Sequence, residues 1–335
     1  MIIKSKFRAP WWLKNYHLQT IWSSKIRQTS KLATRHQRLE LDDGDFIELE
    51  WLTPLKVDTD APILLLLHGL EGSIDSSYIQ GILQVSQSQS WNTVVMHFRG
   101  CGKEMNRLAR SYHSGETDDL QQVLEVLKEQ YPKSKILAAG FSLGGNVLLK
   151  YLGERQQSLI DCAAVVSVPF LLGKCASRLD QGFSRFYRYL LLKDLRQKTN
   201  QKLTLQPNCL QLSKTEVTKL NTFYDFDDKV TAPLHGFNGA QDYYQQCSSH
   251  KFLTGIRQPT LILQAADDPF MTSDVIPNED EISDAVTLEI SSEGGHVGFV
   301  TGKFPWRASY YIDSRIPAWF EDQLRLIGRS GQYHS

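Results

Sequence analysis

Apolar and polar residues alternate over residues 35–41 and again over 45–52, on either side of Asp42-Asp43-Gly44-Asp45. A period of two broken by Asp-Gly predicts an antiparallel hairpin. Further on, the alternation gives way to a continuous apolar run at 62–67 and to largely apolar runs of strand length at 93–98, 135–139 and 163–168. Strands that are apolar almost throughout are buried on both faces, as in a parallel sheet covered by helices. Alternation resumes at 259–263, and 286–290 reads as the last strand. Helical patterns fall between the strands, at 78–88, at 117–130 with Leu120, Val123, Leu124 and Leu127 on one face, and from Asn146 onward. The chain closes on an amphipathic pattern over 316–327 with Trp319, Phe320 and Leu324 on its apolar face.

From about 170 to 250 the strand pattern stops and the sequence turns helical, charged and rich in aromatics. The expected architecture is therefore α/β: a mostly parallel central sheet with helices on both faces and an inserted, mainly helical cap. Its parts are an N-terminal arm (1–34), a first core segment (35–169), the cap (170–250) and a second core segment (251–335). The arm carries Trp11, Trp12 and Trp22. Three tryptophans close together are costly to leave in water. Three readings stay open: a segment packed at the mouth of the site, an arm clamped on the domain surface, or, from Trp beside Lys and Arg but without a clean helical pattern, a membrane-surface anchor.

The stretch Gly140-Phe141-Ser142-Leu143-Gly144-Gly145-Asn146 follows an apolar strand and opens a helix. A turn that tight leaves no room for side chains beside the serine, so small residues flank it, and the serine is expected in a strained backbone conformation. A serine hydroxyl is a weak nucleophile unless a base sits within hydrogen-bond reach and a third group orients that base. The parts occur in the order Ser142, then Asp267-Asp268, then His296, each in a loop after an expected strand. Among nine histidines, His296 has the context for a base, with Gly294-Gly295 before it and Gly298 after it. His36 and His250 read as surface residues, His97 and His113 as structural ones, and His334 lies near the chain end. Asp268 is preferred as the orienting carboxylate with Asp267 as the alternative; the other of the pair would fix the loop. Two backbone donors are needed for a developing oxyanion: the N–H of Leu143, and the N–H of Leu70 in His68-Gly69-Leu70-Glu71-Gly72.

Composition narrows the alternatives. Lys+Arg and Asp+Glu both number 37, so no global field draws the chain to nucleic acid or an anionic membrane. No basic run interleaved with aromatics appears, and no lysine follows a Gly-rich loop in a phosphate-binding pattern. His235, Asp242 and His250 are the one imaginable metal set, and their spacing fits no familiar ligand pattern, so no metal and no cofactor is expected. The five cysteines are odd in number and scattered, which points to a reducing compartment. The first residues lack the apolar stretch and cleavage site of a signal peptide, and no apolar run spans a bilayer, so a cytoplasmic location is expected.

Taken together, the motifs resemble the YheT-like branch of the alpha/beta-hydrolase superfamily. They comprise Asn15-x-His17-Leu18-Gln19-Thr20, the 68–72 turn, His97-Phe98-Arg99-Gly100, and the run 112–118. The 140–146 turn, Asp225-Phe226-Asp227-Asp228, Asp242-Tyr243-Tyr244, Asp267-Asp268-Pro269-Phe270 and residues 294–299 complete the series. The resemblance implies a serine hydrolase with Ser142, Asp268 and His296 as the charge-relay residues; it supports Asp268 over Asp267. It does not supply a substrate. The expected activity is hydrolysis of short- to medium-chain carboxylic esters, lipid-like ones included. An acyltransferase on the same scaffold and a non-catalytic binding module are the alternatives.

Overall fold

The computed structural model describes residues 1–54 and 60–331, so His334 lies outside the described residues. Strands and helices alternate in the order β1 (Ile2–Lys4), α1 (Tyr16–Ile21), β2 (Thr34–Glu40), β3 (Phe46–Leu52), β4 (Ile63–Leu67), α2 (Ser77–Ser86), β5 (Asn92–His97), α3 (Asp118–Gln130), β6 (Ile136–Phe141), α4 (Leu143–Glu154) and β7 (Cys162–Val166). Six helices follow with no strand between them: α5 (Leu172–Leu179), α6 (Ser184–Leu205), α7 (Lys214–Thr218), α8 (Phe223–Phe226), α9 (Ala232–His235) and α10 (Ala240–Cys247). The chain then returns to β8 (Thr260–Ala265), β9 (Val286–Ser291), the short pair β10 (Val300–Thr301) and β11 (Ser309–Tyr310), and α11 (Tyr311–Gly331).

Among the described residues one nine-stranded sheet runs in the order β1-β9-β8-β7-β6-β4-β5-β3-β2. Strands β4 to β9 and β1 pair in parallel; β3 runs antiparallel to β5, and β2 antiparallel to β3. The apolar runs explain the layering. Leu64 and Leu66 of β4 pack into the cluster with α2 and α11, while Ile63, Leu65 and Leu67 pack into the cluster with α3 and α4. All five are fully buried, each worth roughly 1.5–3 kcal/mol relative to exposure. Helices therefore cover both faces, and the C-terminal strand ends with their loops share one edge.

Several stretches depart from the sequence reading, among them α1 and the β10–β11 pair, for which the sequence pattern predicts no element. β1 adds a parallel strand at the sheet edge, with Ile2 opposite Leu288. It has three residues and none is buried, so its pairing is backbone alone and leaves no apolar pattern. The last helix starts at Tyr311 rather than 316, and Pro317 lies inside it.

The helices between β7 and β8 have an apolar cluster of their own, drawn from α5, α6, α8 and α10. Asn146 ties this region to the sheet. Its buried amide donates to Ser114 O at 2.7 Å and Cys247 O at 2.8 Å and accepts from Ser249 N at 3.0 Å.

Candidate active site

The turn between β6 and α4 is as tight as the glycines require. A Cβ on Gly140 would come within 2.6 Å of Gly144 O, and one on Gly144 within 2.5 Å of His68 O. Ser142 sits at φ +51°, ψ −118°, outside the regions an ordinary residue adopts. Its N–H donates to Val166 O at 2.9 Å, which fixes the turn to β7. Its hydroxyl is thereby raised at the sheet edge.

Asp267 and Asp268 follow β8, and His296 follows β9. Ser142 Oγ lies 2.9 Å from His296 Nε2, and His296 Nδ1 lies 2.8 Å from Asp268 Oδ2. The Asp268 side chain is fully buried and that of His296 is 9 % exposed. A carboxylate only accepts, so Nδ1 carries the proton and Nε2 faces the serine hydroxyl as an acceptor. The other carboxylate oxygen of Asp268 accepts from Phe270 N at 2.8 Å, leaving Oδ2 for the imidazole. Asp267 does something different. Its Oδ1 accepts from Gly295 N at 2.9 Å, and burial pushes its pKa up to about 6. The ring of Phe270 lies flat on that of His296, with centroids 3.8 Å apart.

The turn after β4 lies beside the serine. Gly69 N donates to Tyr78 Oη at 2.8 Å, Glu71 N to Tyr112 Oη at 2.8 Å, and Gly72 N to Gly69 O at 3.0 Å. Among the described residues the Leu70 N–H is the donor of this turn left without a protein partner. Leu143 opens α4, so its N–H has no partner within the helix and stands at the positive end of the helix dipole. His68 supports the turn. It accepts from Phe98 N at 3.2 Å through Nε2, so Nδ1 donates to Gly69 O at 2.7 Å. Burial, with the neighbouring His97, pushes its pKa down to about 3. The ring stays neutral.

A cleft with about 1280 Å³ of empty space, part of it open to solvent, runs from Ser142 and His296 under the helices after β7. Its walls are mainly apolar: Leu172, Leu179, Leu191, Leu195, Phe226 and Val230.

The structure does not bring His235, Asp242 and His250 together. His250 faces Glu281 at 3.5 Å, and Asp242 accepts from Asn238 N at 2.9 Å. Instead, His235 meets His113 and Glu116, whose donor atoms all lie within 4.8 Å of one another. Arg110 already binds the Glu116 carboxylate. Its guanidinium supplies the positive charge a metal ion would bring, so no metal is assigned there.

A sequence profile described as the alpha/beta hydrolase fold matches residues 62–303. The chain belongs to the alpha/beta hydrolase family. Within that family it is 40% identical to a protein of Escherichia coli (strain K12) named "Putative esterase YheT", over 92% of this chain and 91% of that one. It is 34% identical to a monoacylglycerol lipase of Saccharomyces cerevisiae, covering 82% of this chain and 63% of the yeast protein. The solved structure of the Pyrococcus furiosus esterase Pf2001 superposes with a TM-score of 0.58 at 16% identity, covering 88% of this chain and 92% of that one. That likeness concerns the alpha/beta hydrolase fold alone.

Sequence reasoning passed over several residues that touch the site. Ser167, at φ +55°, accepts from Val297 N at 2.9 Å, and Thr20 accepts from His296 N at 2.9 Å. Ser167 left no signal beyond its place at a strand end. Thr20 did leave one: it closes the Asn15-x-His17-Leu18-Gln19-Thr20 motif.

Proposed function

We propose that the protein is a serine esterase acting on small carboxylic esters. The observation that carries this reading is the continuous hydrogen-bonded chain Ser142–His296–Asp268 at the mouth of an apolar cleft. His296 Nε2 takes the proton of Ser142 as Oγ attacks the acyl carbonyl. Asp268 holds the imidazole in the tautomer that leaves Nε2 open and stabilises the imidazolium that forms. The N–H groups of Leu143 and Leu70 receive the oxyanion, each worth about 3–4 kcal/mol in the transition state. His296 then protonates the departing alcohol, and water enters by the same route in reverse to release the acid. No metal or cofactor takes part.

The apolar walls favour short- to medium-chain acyl groups. The names of the relatives, an esterase and a monoacylglycerol lipase, support esters of small alcohols or of lipids. No helix among the described residues is long and apolar enough to cross a membrane. All five cysteines are free, which supports a reducing, cytoplasmic setting.

Hydrolysis of p-nitrophenyl esters from acetate to laurate tests this, together with fluorophosphonate labelling. The wild-type protein should turn over the esters and label at Ser142, and Ser142→Ala should lose both. A folded wild-type protein that does not label sinks the reading. Labelling without turnover of any ester would keep the activated serine and move the acyl acceptor away from water.

A further inference from the structure

The backbone of the His296 loop is held from three distant parts of the chain. His296 N donates to Thr20 Oγ1, Gly295 N to Asp267 Oδ1 and Val297 N to Ser167 Oγ, each at 2.9 Å. The Thr20 hydroxyl proton is committed to Tyr16 O at 2.9 Å, which leaves an oxygen lone pair for His296. Beside it, Gln19 is fully buried. Its amide donates to Leu13 O at 2.8 Å and Val300 O at 3.0 Å and accepts from Val300 N at 2.7 Å. One side chain thus pairs with both backbone groups of a residue just past the loop, as a neighbouring strand would.

The loop needs this support. Val297 and Phe299 sit at φ +50° and +45°, a region that bulky and β-branched side chains avoid. Such a conformation persists only where its surroundings over-determine it. The glycines of the loop answer to the same contact. A Cβ on Gly295 would come within 2.5 Å of Tyr16 O and 2.6 Å of Thr20 Oγ1, and one on Gly298 within 3.0 Å of the Gln19 backbone. The Asn15–Thr20 motif and the Gly294–Gly298 motif are therefore two sides of one interface. The arm also touches the cap: His17 Nδ1 lies 3.1 Å from Tyr187 Oη, and Tyr187 packs on Phe270, the ring stacked on His296.

We propose that the N-terminal arm is a working part of the active site, in which Thr20, backed by Gln19, is a positioning residue. It sets the reach of the His296 imidazole between Asp268 and Ser142. The proposal rests on the serine-esterase reading above.

Thr20→Val keeps the shape of the side chain and removes the acceptor. Its kcat for p-nitrophenyl butyrate should fall roughly 10- to 100-fold with KM held within about twofold. The rate of fluorophosphonate labelling should fall in step, and its pH profile should move. Thr20→Ser restores the acceptor and should recover both. Thermal melts establish that each variant is folded; if Thr20→Val is not, Thr20→Ala carries the same comparison. A folded acceptor-less variant with wild-type kcat and an unmoved pH profile overturns the proposal, and so does an equally deep loss in Thr20→Ser. Ser142→Ala separates the two readings. Hydrolysis that survives in Ser142→Ala sinks the serine mechanism whatever Thr20 does. Hydrolysis abolished there but untouched by loss of the Thr20 acceptor sinks the positioning role alone.

Discussion

Adjacent aspartates after β8 have been given separate tasks by a turn of the backbone. Asp268 is fully buried and spends one oxygen on Phe270 N and the other on His296 Nδ1. Asp267 spends an oxygen on Gly295 N. Their asparagine variants should therefore behave differently. In Asp268→Asn an amide can turn its N–H₂ toward Nδ1, which moves the imidazole proton to Nε2, where it faces the serine hydroxyl. The base is then blocked, and kcat on p-nitrophenyl esters should drop by roughly 10³- to 10⁴-fold. In Asp267→Asn the amide oxygen still accepts from Gly295 N, so activity should stay within about tenfold. Steady-state kinetics of the two variants, side by side, decide between them. The reverse order of effects would assign the orienting role to Asp267.

At the scale of elements, what burial on both faces dictates was readable and what tertiary contact dictates was not. Strands β4 to β7 show as apolar runs because helices cover them on either side, and the turn at Ser142 shows because its glycines leave no room for a Cβ. β1 and the packing of α1 on the His296 loop depend on partners far along the chain. His97-Phe98-Arg99-Gly100 is legible as a motif but not as to its task. Arg99 is buried and joins Asp119 through Nε at 2.7 Å and Nη2 at 2.6 Å, Asp43 at 2.7 Å and Asp45 at 3.0 Å. It locks the β2–β3 turn and the start of α3 to the end of β5, a structural role. The block between β7 and β8 is legible as helical and aromatic-rich but not as to where each helix lies, and it forms the apolar wall over Ser142. Leu195 of α6 is in that wall. Leu195→Trp should fill part of the cleft and shift the preferred p-nitrophenyl ester toward shorter chains, with kcat/KM for the acetate within about threefold of wild type. An unchanged chain-length profile would place the acyl group elsewhere.

The whole molecule carries an acid sensitivity set by its buried histidines. Burial pushes the pKa of His68 down to about 3, His97 to about 4, His113 to about 3 and His235 to about 2. The unfolded chain takes up these protons near the ordinary 6.5. Between about pH 6 and pH 4 it therefore binds up to four protons that the fold refuses, and stability falls as pH falls. Buried carboxyls act in the opposite sense. Burial pushes Asp227 and Asp267 up to about 6 and raises Asp119 and Asp313 as well, so the fold binds their protons before the unfolded chain does near 3.8. Their stabilising effect is full below 3.8 and lost as pH rises through their raised values. In that window each buried imidazole adds up to one proton to the uptake on unfolding, and each such carboxyl subtracts up to one. The variants follow from the same signs. His235 Nε2 has no hydrogen-bond partner among the described residues, so His235→Gln removes one refused proton at little structural cost and should reduce the uptake by about one. Asp227→Asn removes a compensating group and should raise it by about one. Urea unfolding at several pH values from 6 to 4 reads these numbers as the slope of stability against pH. Slopes that respond to neither substitution would overturn this account of the buried groups. His68 in particular must stay neutral, because it leaves Nε2 unprotonated to accept from Phe98 N while Nδ1 donates to Gly69 O. The turn that presents Leu70 rests on that neutral ring, so esterase activity and stability should be lost together as the acid limb is descended.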